Sequence, residues 1–219
     1  MGGVGSWCAE ALVRSGIGSI SIADPDLVAA SNINRQIQAT TGTIGRAKTE
    51  VLEERLKEIN PGCEIKTYKI AFSKETSHIF DIPAADYVID AIDTFSCKLD
   101  LIEITLAAGK RLFSSMGMAQ KLDPTLIKTA DIWETSTCPL ARHVREGLRK
   151  RNISGHFTVV YSAEQLPRHE AAEQETVERI TAEKEGGKVI NGSSVTVTAA
   201  AGMVLASLVI RDIYARTGG

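Results

Sequence analysis

The segment from Asp24 to Lys48, D-P-D-L-V-A-A-S-N-I-N-R-Q-I-Q-A-T-T-G-T-I-G-R-A-K, holds the residue types best suited to chemistry. Two acids come first, Asp24 and Asp26. Asn32, Asn34, Arg35 and Gln36 follow, and Lys48 arrives in an amphipathic helix. Ahead of them lie three closely spaced glycines, Gly2, Gly3 and Gly5, and an apolar run from Ile20 to Ala23. A glycine turn that opens a helix presents backbone N–H groups to phosphate. Acids at a strand end suit ribose hydroxyls or a metal ion, and the cations suit phosphate charge. This is the order of groups that a nucleoside triphosphate site needs.

Helical and extended patterns alternate around these residues. Helices are expected over 6–15, 44–60 and 99–108, and strands over 19–23, 64–70, 87–92 and 111–115. Such alternation points to an α/β fold with a doubly wound, mainly parallel, Rossmann-like sheet. In that architecture ligands sit at the carboxyl ends of strands, which is where Asp24 and Asp93 fall. Beyond Asp123 the pattern loosens into an irregular C-terminal part, with strands expected over 127–132 and 157–161. A charged insertion over 167–187 and a final apolar helix over 195–210 complete it. That last run is short for a membrane span of about twenty residues, so it reads as a core helix and membrane association is not expected.

A dinucleotide-type turn ordinarily follows a strand. Here Gly2 and Gly5 match its second and third glycines, so its strand and first glycine would precede Met1. The chain is therefore expected to be shortened at its start, leaving two neighbouring strands with an unpaired edge.

With 43% apolar and 24% charged residues, the chain has the composition of a soluble globular domain. A net charge of -2 excludes a generally basic nucleic-acid binder but leaves room for a local patch. Cys8, Cys63, Cys97 and Cys138 are far apart and form no C-x-x-C pair. That argues for a reducing compartment, hence the cytoplasm, and against a structural zinc of the usual spacing.

Taken in order, Gly2–Gly5, Asp24-x-Asp26, Asn32-x-Asn34-Arg35-Gln36, Gly45-x-x-Lys48, Asn60-Pro61 and Asp90-Ala-Ile-Asp93 resemble the ubiquitin-activating-like superfamily of adenylating enzymes. Further features are similar to the branch that dehydrates threonylcarbamoyladenosine in tRNA. They are Gly3-Val-Gly-Ser-Trp7, Arg35-Gln-Ile37, Asp123-Pro-Thr125, Pro139-Leu-Ala-x-x-Val-Arg145 and Gly192-Ser-Ser-Val-Thr-Val-Thr198. The resemblance implies one adenylating domain over 1–219, with a nucleotide-binding part to about residue 120 and a substrate and dimer part beyond it. It also implies ATP and Mg²⁺ as cofactors, a tRNA substrate, a homodimer and possible sulfur-transfer partner proteins.

Carried over residue by residue, the resemblance gives Gly2, Gly3, Gly5, Asp24, Asp26, Asn32, Arg35 and Lys48 to ATP binding. Arg35, Lys48 and Asp93 become catalytic, with Asp93 on the metal. Each has a plainer reading. Asp24 could form a turn before Pro25, Asp26 could be a solvated loop acid, and Asn32 could bond within its loop. Arg35 could sit in a surface ion pair, and Lys48 could be an exposed helix lysine. Asp90 reads as structural, and Cys138 as a buried cysteine rather than a nucleophile. Arg142, Arg145 and Arg149 share a helical face and suit either solvent or tRNA phosphate. Two further functions stay open: activation of the C-terminal glycine of a ubiquitin-like sulfur carrier, and a non-catalytic scaffold that has lost ATP binding. An NAD-dependent oxidoreductase would leave Arg35 and Lys48 without a task.

Overall fold

A computed structural model describes residues 1–165 and 192–218. The expected charged insertion over 167–187 lies outside them. The elements run α1 (Gly5–Arg14), β1 (Ser19–Ala23), α2 (Lys48–Ile59), β2 (Glu64–Tyr68), β3 (Tyr87–Asp90) and α3 (Phe95–Ala107). They continue with β4 (Arg111–Ser115), β5 (Ile127–Asp131), α4 (Pro139–Lys150), β6 (Thr158–Ser162) and α5 (Val195–Thr217).

Strands β3, β4 and β6 pair in parallel in the order β3-β4-β6, and β5 closes the edge antiparallel to β6. β1 and β2 form a separate parallel pair, and no ladder joins β1 to β3. Burial alternates with the period-two geometry of a pleated strand. Val88, Leu112, Val159 and Tyr161 face Leu99 and Ile102 of α3 and Ala141, Val144 and Leu148 of α4. Ile89, Phe113 and Val160 face the other way, onto Cys8 and Leu12 of α1 and Val197, Ala201, Leu205 and Val209 of α5. α1 spans the break between the sheets, because Ala9 and Val13 pack with Ile22 of β1 and Leu52 and Leu56 of α2.

The helix expected from Leu99 begins at Phe95, and the strand expected to reach Ile70 ends at Tyr68. Three further boundaries differ from the sequence reading, each for a local reason. The helix expected from Ile44 starts only at Lys48. Gly45 takes φ +85° and donates its N–H to the Val28 carbonyl at 2.9 Å, while Val28 N–H donates to the Arg46 carbonyl at 2.8 Å. The strand expected to reach Ile92 stops at Asp90, whose side chain turns the next residues by accepting Ile92 N–H at 3.0 Å. The last helix is 23 residues long, because Asp212 does not end it. Tyr87 donates to Asp212 at 2.5 Å and Arg111 pairs with it, so that acid is anchored on the sheet. At that length α5 is long and apolar enough to cross a membrane, yet Val197, Ala201, Leu205 and Val209 are buried in the core.

α1 and α2 are also joined through charge. Buried Glu10 accepts from Arg14 Nε at 2.8 Å and Arg55 Nε at 2.6 Å. Burial alone raises its pKa, but the two arginines together outweigh it and the carboxyl lies below its usual value. A carboxylate depressed on folding stabilises above the unfolded pKa of about 4.3 and loses that contribution as pH falls through the folded value. Glu10→Gln should therefore lower the melting temperature at pH 7 by a few degrees, at about 2–4 °C per kcal/mol for this size. The gap between variant and parent should close in acid. Thermal melts across pH 3–7 (about one unit either side of the unfolded value) will show it.

Candidate functional site

Met1 to Gly5 lead into α1, whose N-terminus has no side-chain cap. The Ser6 N–H turns back onto the Gly2 carbonyl at 3.1 Å, and the positive end of the helix faces the turn. A Cβ on Gly2 would meet nothing within 4 Å, so a side chain there would fill the space in front of the turn. At Gly3 it would press on Arg35 Cγ and Thr198 Cβ, each 3.1 Å away, and at Gly5 on Ala91 Cβ at 3.3 Å. The turn is therefore enclosed by the Arg35 loop, the start of α5 and the loop after β3.

β1 delivers the first acid. Asp24 extends the β1–β2 ladder by donating its N–H to Tyr68 at 3.1 Å. Its Oδ1 accepts the Asp26 N–H at 2.8 Å, and its Oδ2 takes the Met1 ammonium. Burial, the largest influence, lowers the pKa of that ammonium. Lys48 also lowers it, while Asp24 and Asp93 pull it up. Asp24 thus lies between the Met1 ammonium and Lys48, whose Nζ is 3.7 Å from its Oδ1.

Lys48 is the first residue of α2, set there by its N–H bond to the Asp26 carbonyl at 3.1 Å. Lys48 is 5% exposed, and its ammonium lies 2.8 Å from Asp26 Oδ2 and 3.7 Å from Asp24 Oδ1. A buried ammonium is costly unless paired, and these two acids pair it. The exposed helix lysine is therefore the wrong reading for Lys48.

Arg35 approaches from the other side. Its guanidinium donates to the Ser31 carbonyl at 2.7 Å and to Asn34 Oδ1 at 2.9 Å, both neutral acceptors. Among the described residues no carboxylate forms an ion pair with it, so nothing described supports the surface-pair reading. Trp7 Nε1 donates to the Arg35 carbonyl at 3.0 Å and fixes the loop on α1. Asn34 in turn donates to the Ser193 carbonyl at 3.0 Å, tying the loop to the entry of α5. Trp7 and Asn34 thus hold Arg35 in place, a task the sequence did not assign to them.

Two candidates sit differently from expectation. Asp93 does not end a buried strand: β3 stops three residues earlier, at fully buried Asp90, and Asp93 is exposed on the following loop. Asn32 is buried, and its Oδ1 accepts the Ala29 N–H at 3.1 Å, so at least one end of its amide serves the loop. Among the described residues no group of three or more His, Cys, Asp or Glu could hold a metal unaided. A single exposed carboxylate beside a phosphate turn still suits Mg²⁺, which is bound by one or two carboxylates together with substrate phosphates.

The arginines of α4 do not form the shared face that their spacing suggested. Arg142 is exposed and lies 3.9 Å from Glu146. Arg145 turns inward, donating to the Ile132 and Thr135 carbonyls at 3.3 Å and to the Thr135 hydroxyl, which itself donates to the Ile132 carbonyl at 2.8 Å. Arg149 covers the Trp133 ring at 5.3 Å. Trp133 lines an open groove of about 520 Å³ with Asn152, Ile153, Ser154 and His156. His156 precedes β6, so this groove lies at the amino end of the parallel strands, opposite the carboxyl end at which Asp90 stands. Cys138 is buried in the core at the start of α4, as its plainer reading had it.

Known proteins share this fold. The model of the ThiF family matches residues 1–216. A tRNA threonylcarbamoyladenosine dehydratase of Bacillus subtilis is 38% identical over 97% of this chain and 84% of its own. The Escherichia coli tRNA N6-threonylcarbamoyladenosine dehydratase, solved with ATP, superposes with a TM-score of 0.84 at 32% identity, covering 99% of this chain and 84% of that one. Its complex with AMP gives 0.83 over the same shares. On the sequence match and the fold together, the chain belongs to the ThiF family of adenylating enzymes.

Proposed function

We propose that this protein uses ATP to dehydrate threonylcarbamoyladenosine in tRNA to its cyclic form. What supports the reading is Arg35, which lies against Gly3 and has no carboxylate partner among the described residues, together with buried Lys48 beside Asp24 and Asp26. Relatives bearing the dehydratase name, solved with ATP and with AMP, support it. One oxygen of the threonyl carboxylate attacks the α-phosphate and pyrophosphate leaves. A nitrogen or oxygen of the carbamoyl group then attacks the acyl-adenylate carbonyl, a carbamoyl N–H proton is lost and AMP is expelled. The carboxylate oxygen departs with AMP, so the nucleoside loses one water.

In this reading Asp24 and Asp26 hold the ribose end, Asn32 shapes the loop, and Gly2, Gly3 and Gly5 admit the phosphates. Arg35 and Lys48 stabilise charge at phosphorus and on the departing pyrophosphate. Asp93 would hold Mg²⁺, which when bound supplies charge neutralisation to the phosphates. Arg142 and Arg149 serve tRNA phosphate, and Arg145 is withdrawn from that role. Residues 1–219 act as one domain in the cytoplasm. The protein works as a homodimer, which the exposed apolar row Met203, Ile210, Ile213 and Tyr214 on α5 supports. A sulfur-transfer partner protein rests on the family resemblance alone.

ATP–pyrophosphate exchange separates this reading from the carrier-activating one. Exchange should rise on adding tRNA that bears threonylcarbamoyladenosine and stay at background with a small protein ending in Gly-Gly. The reverse pattern would assign the chain to carrier activation.

A further inference from the structure

We propose that Asp90, Lys98 and Ser114 are positioning residues that set the loop 91–93 against the phosphate turn. This inference rests on the reading above, in which that loop borders the phosphates. Asp90 and Lys98 are both fully buried, and their charges meet at 2.6 Å. The same Asp90 Oδ2 accepts the Ser114 hydroxyl at 2.5 Å, while Oδ1 accepts the Ile92 N–H at 3.0 Å. Lys98 also donates to the Ser115 carbonyl at 3.0 Å, and its own N–H closes the first turn of α3 on Thr94 at 2.9 Å. One carboxylate therefore ties together the end of β3, the loop after it, the start of α3 and the end of β4.

Stability alone does not call for such a group. Two buried charges cost desolvation, and well-packed apolar residues often close a strand end as stably or better. What apolar residues lack is direction: they cannot hold the Ile92 amide at one angle. The loop so held contains Asp93, and it sets Ala91 where a Cβ on Gly5 would come within 3.3 Å. A shift of the loop therefore changes both the place of Asp93 and the wall of the glycine turn. Misplacement by an ångström in such a site can cost about a hundredfold in rate.

The test uses the full chain and two variants, Lys98→Met and the milder Ser114→Ala, which removes one donor from Asp90 and leaves the ion pair. Folding is checked by circular dichroism and thermal melting, and kinetics and hydrogen exchange are read on the folded protein. For a folded variant the expected result is a kcat lower by about tenfold or more, with KM for ATP within about twofold, the pattern of a lost transition-state arrangement. Amide exchange in the peptide covering 91–94 should quicken, with exchange in β1 and β2 unchanged. If Lys98→Met does not fold, Ser114→Ala decides. Folded variants with parental kcat and parental exchange at 91–94 would overturn the proposal. The parent enzyme run alongside reports on the dehydratase reading: if it makes no cyclic nucleoside, that reading fails while the exchange arm still tests the positioning.

Discussion

Lys48→Ala should slow ATP-dependent dehydration by about a hundredfold or more while leaving the protein folded, the scale of losing one preorganised group that meets developing charge. The separation of the two effects follows from where Lys48 stands. It is the first residue of α2, where the helix dipole disfavours a cation and alanine is at least as good a helix former. Its removal does leave Asp26 and Asp24 without a common counter-charge. Asp26 is half-exposed, and water compensates much of that loss. The melting temperature should thus move by only a few degrees, against about two decades in rate. Steady-state kinetics beside a thermal melt will show the split. A variant with near-parental kcat would remove Lys48 from the phosphate site, and one that fails to fold would make it structural.

Gly202→Val should have the largest effect on stability. Gly202 lies mid-way along α5, where α1 crosses so closely that a Cβ would be 2.6 Å from the Val4 carbonyl oxygen and 2.9 Å from Cys8 N and Trp7 Cβ. Two of those three atoms are backbone, which cannot rotate aside, so the helices must separate. Overpacking of a core contact costs about 1–3 kcal/mol and occasionally more, and valine adds two methyl groups beyond that Cβ. At about 2–4 °C per kcal/mol, a fall of order ten degrees is expected. The consequence reaches the site, because Val4 and Trp7 belong to the glycine turn and to the clamp on Arg35. Differential scanning calorimetry measures the loss directly. A melting temperature within a degree or two of the parent (less than about 1 kcal/mol) would mean that the α1–α5 contact yields without strain.

Much of this site was legible because its chemistry depends on residue order along one segment. Asp24, Asp26, Arg35 and Lys48 lie within a single β-to-α connection, so their spacing in sequence is nearly their spacing around the turn. The Asp90–Lys98–Ser114 cluster was not legible for the opposite reason. It joins residues from β3, α3 and β4, and a lysine in a helix ordinarily reads as a solvated one; only the β3–β4 register, which sets Asp90 beside Ser114, shows otherwise. Asp93 was placed at the strand end because an apolar run does not show that Asp90 will turn the backbone on itself. On α4 the arginines have the right period for one face, but period says nothing of the carbonyls at Ile132 and Thr135 that draw Arg145 inward. The end of α5 was missed similarly, since Asp212 looks like a stop until Tyr87 and Arg111 are seen to hold it.

The central claim is that this ATP site activates a carboxylate on tRNA, and mass spectrometry of tRNA nucleosides tests it most directly. The full-length protein is incubated with ATP, Mg²⁺ and tRNA containing threonylcarbamoyladenosine, and the nucleosides are released under conditions that keep the cyclic product closed. The expected result is a nucleoside lighter by one water, formed with AMP and pyrophosphate, dependent on ATP and greatly reduced with Lys48→Ala. Threonylcarbamoyladenosine left intact by a protein that demonstrably binds ATP would contradict the account.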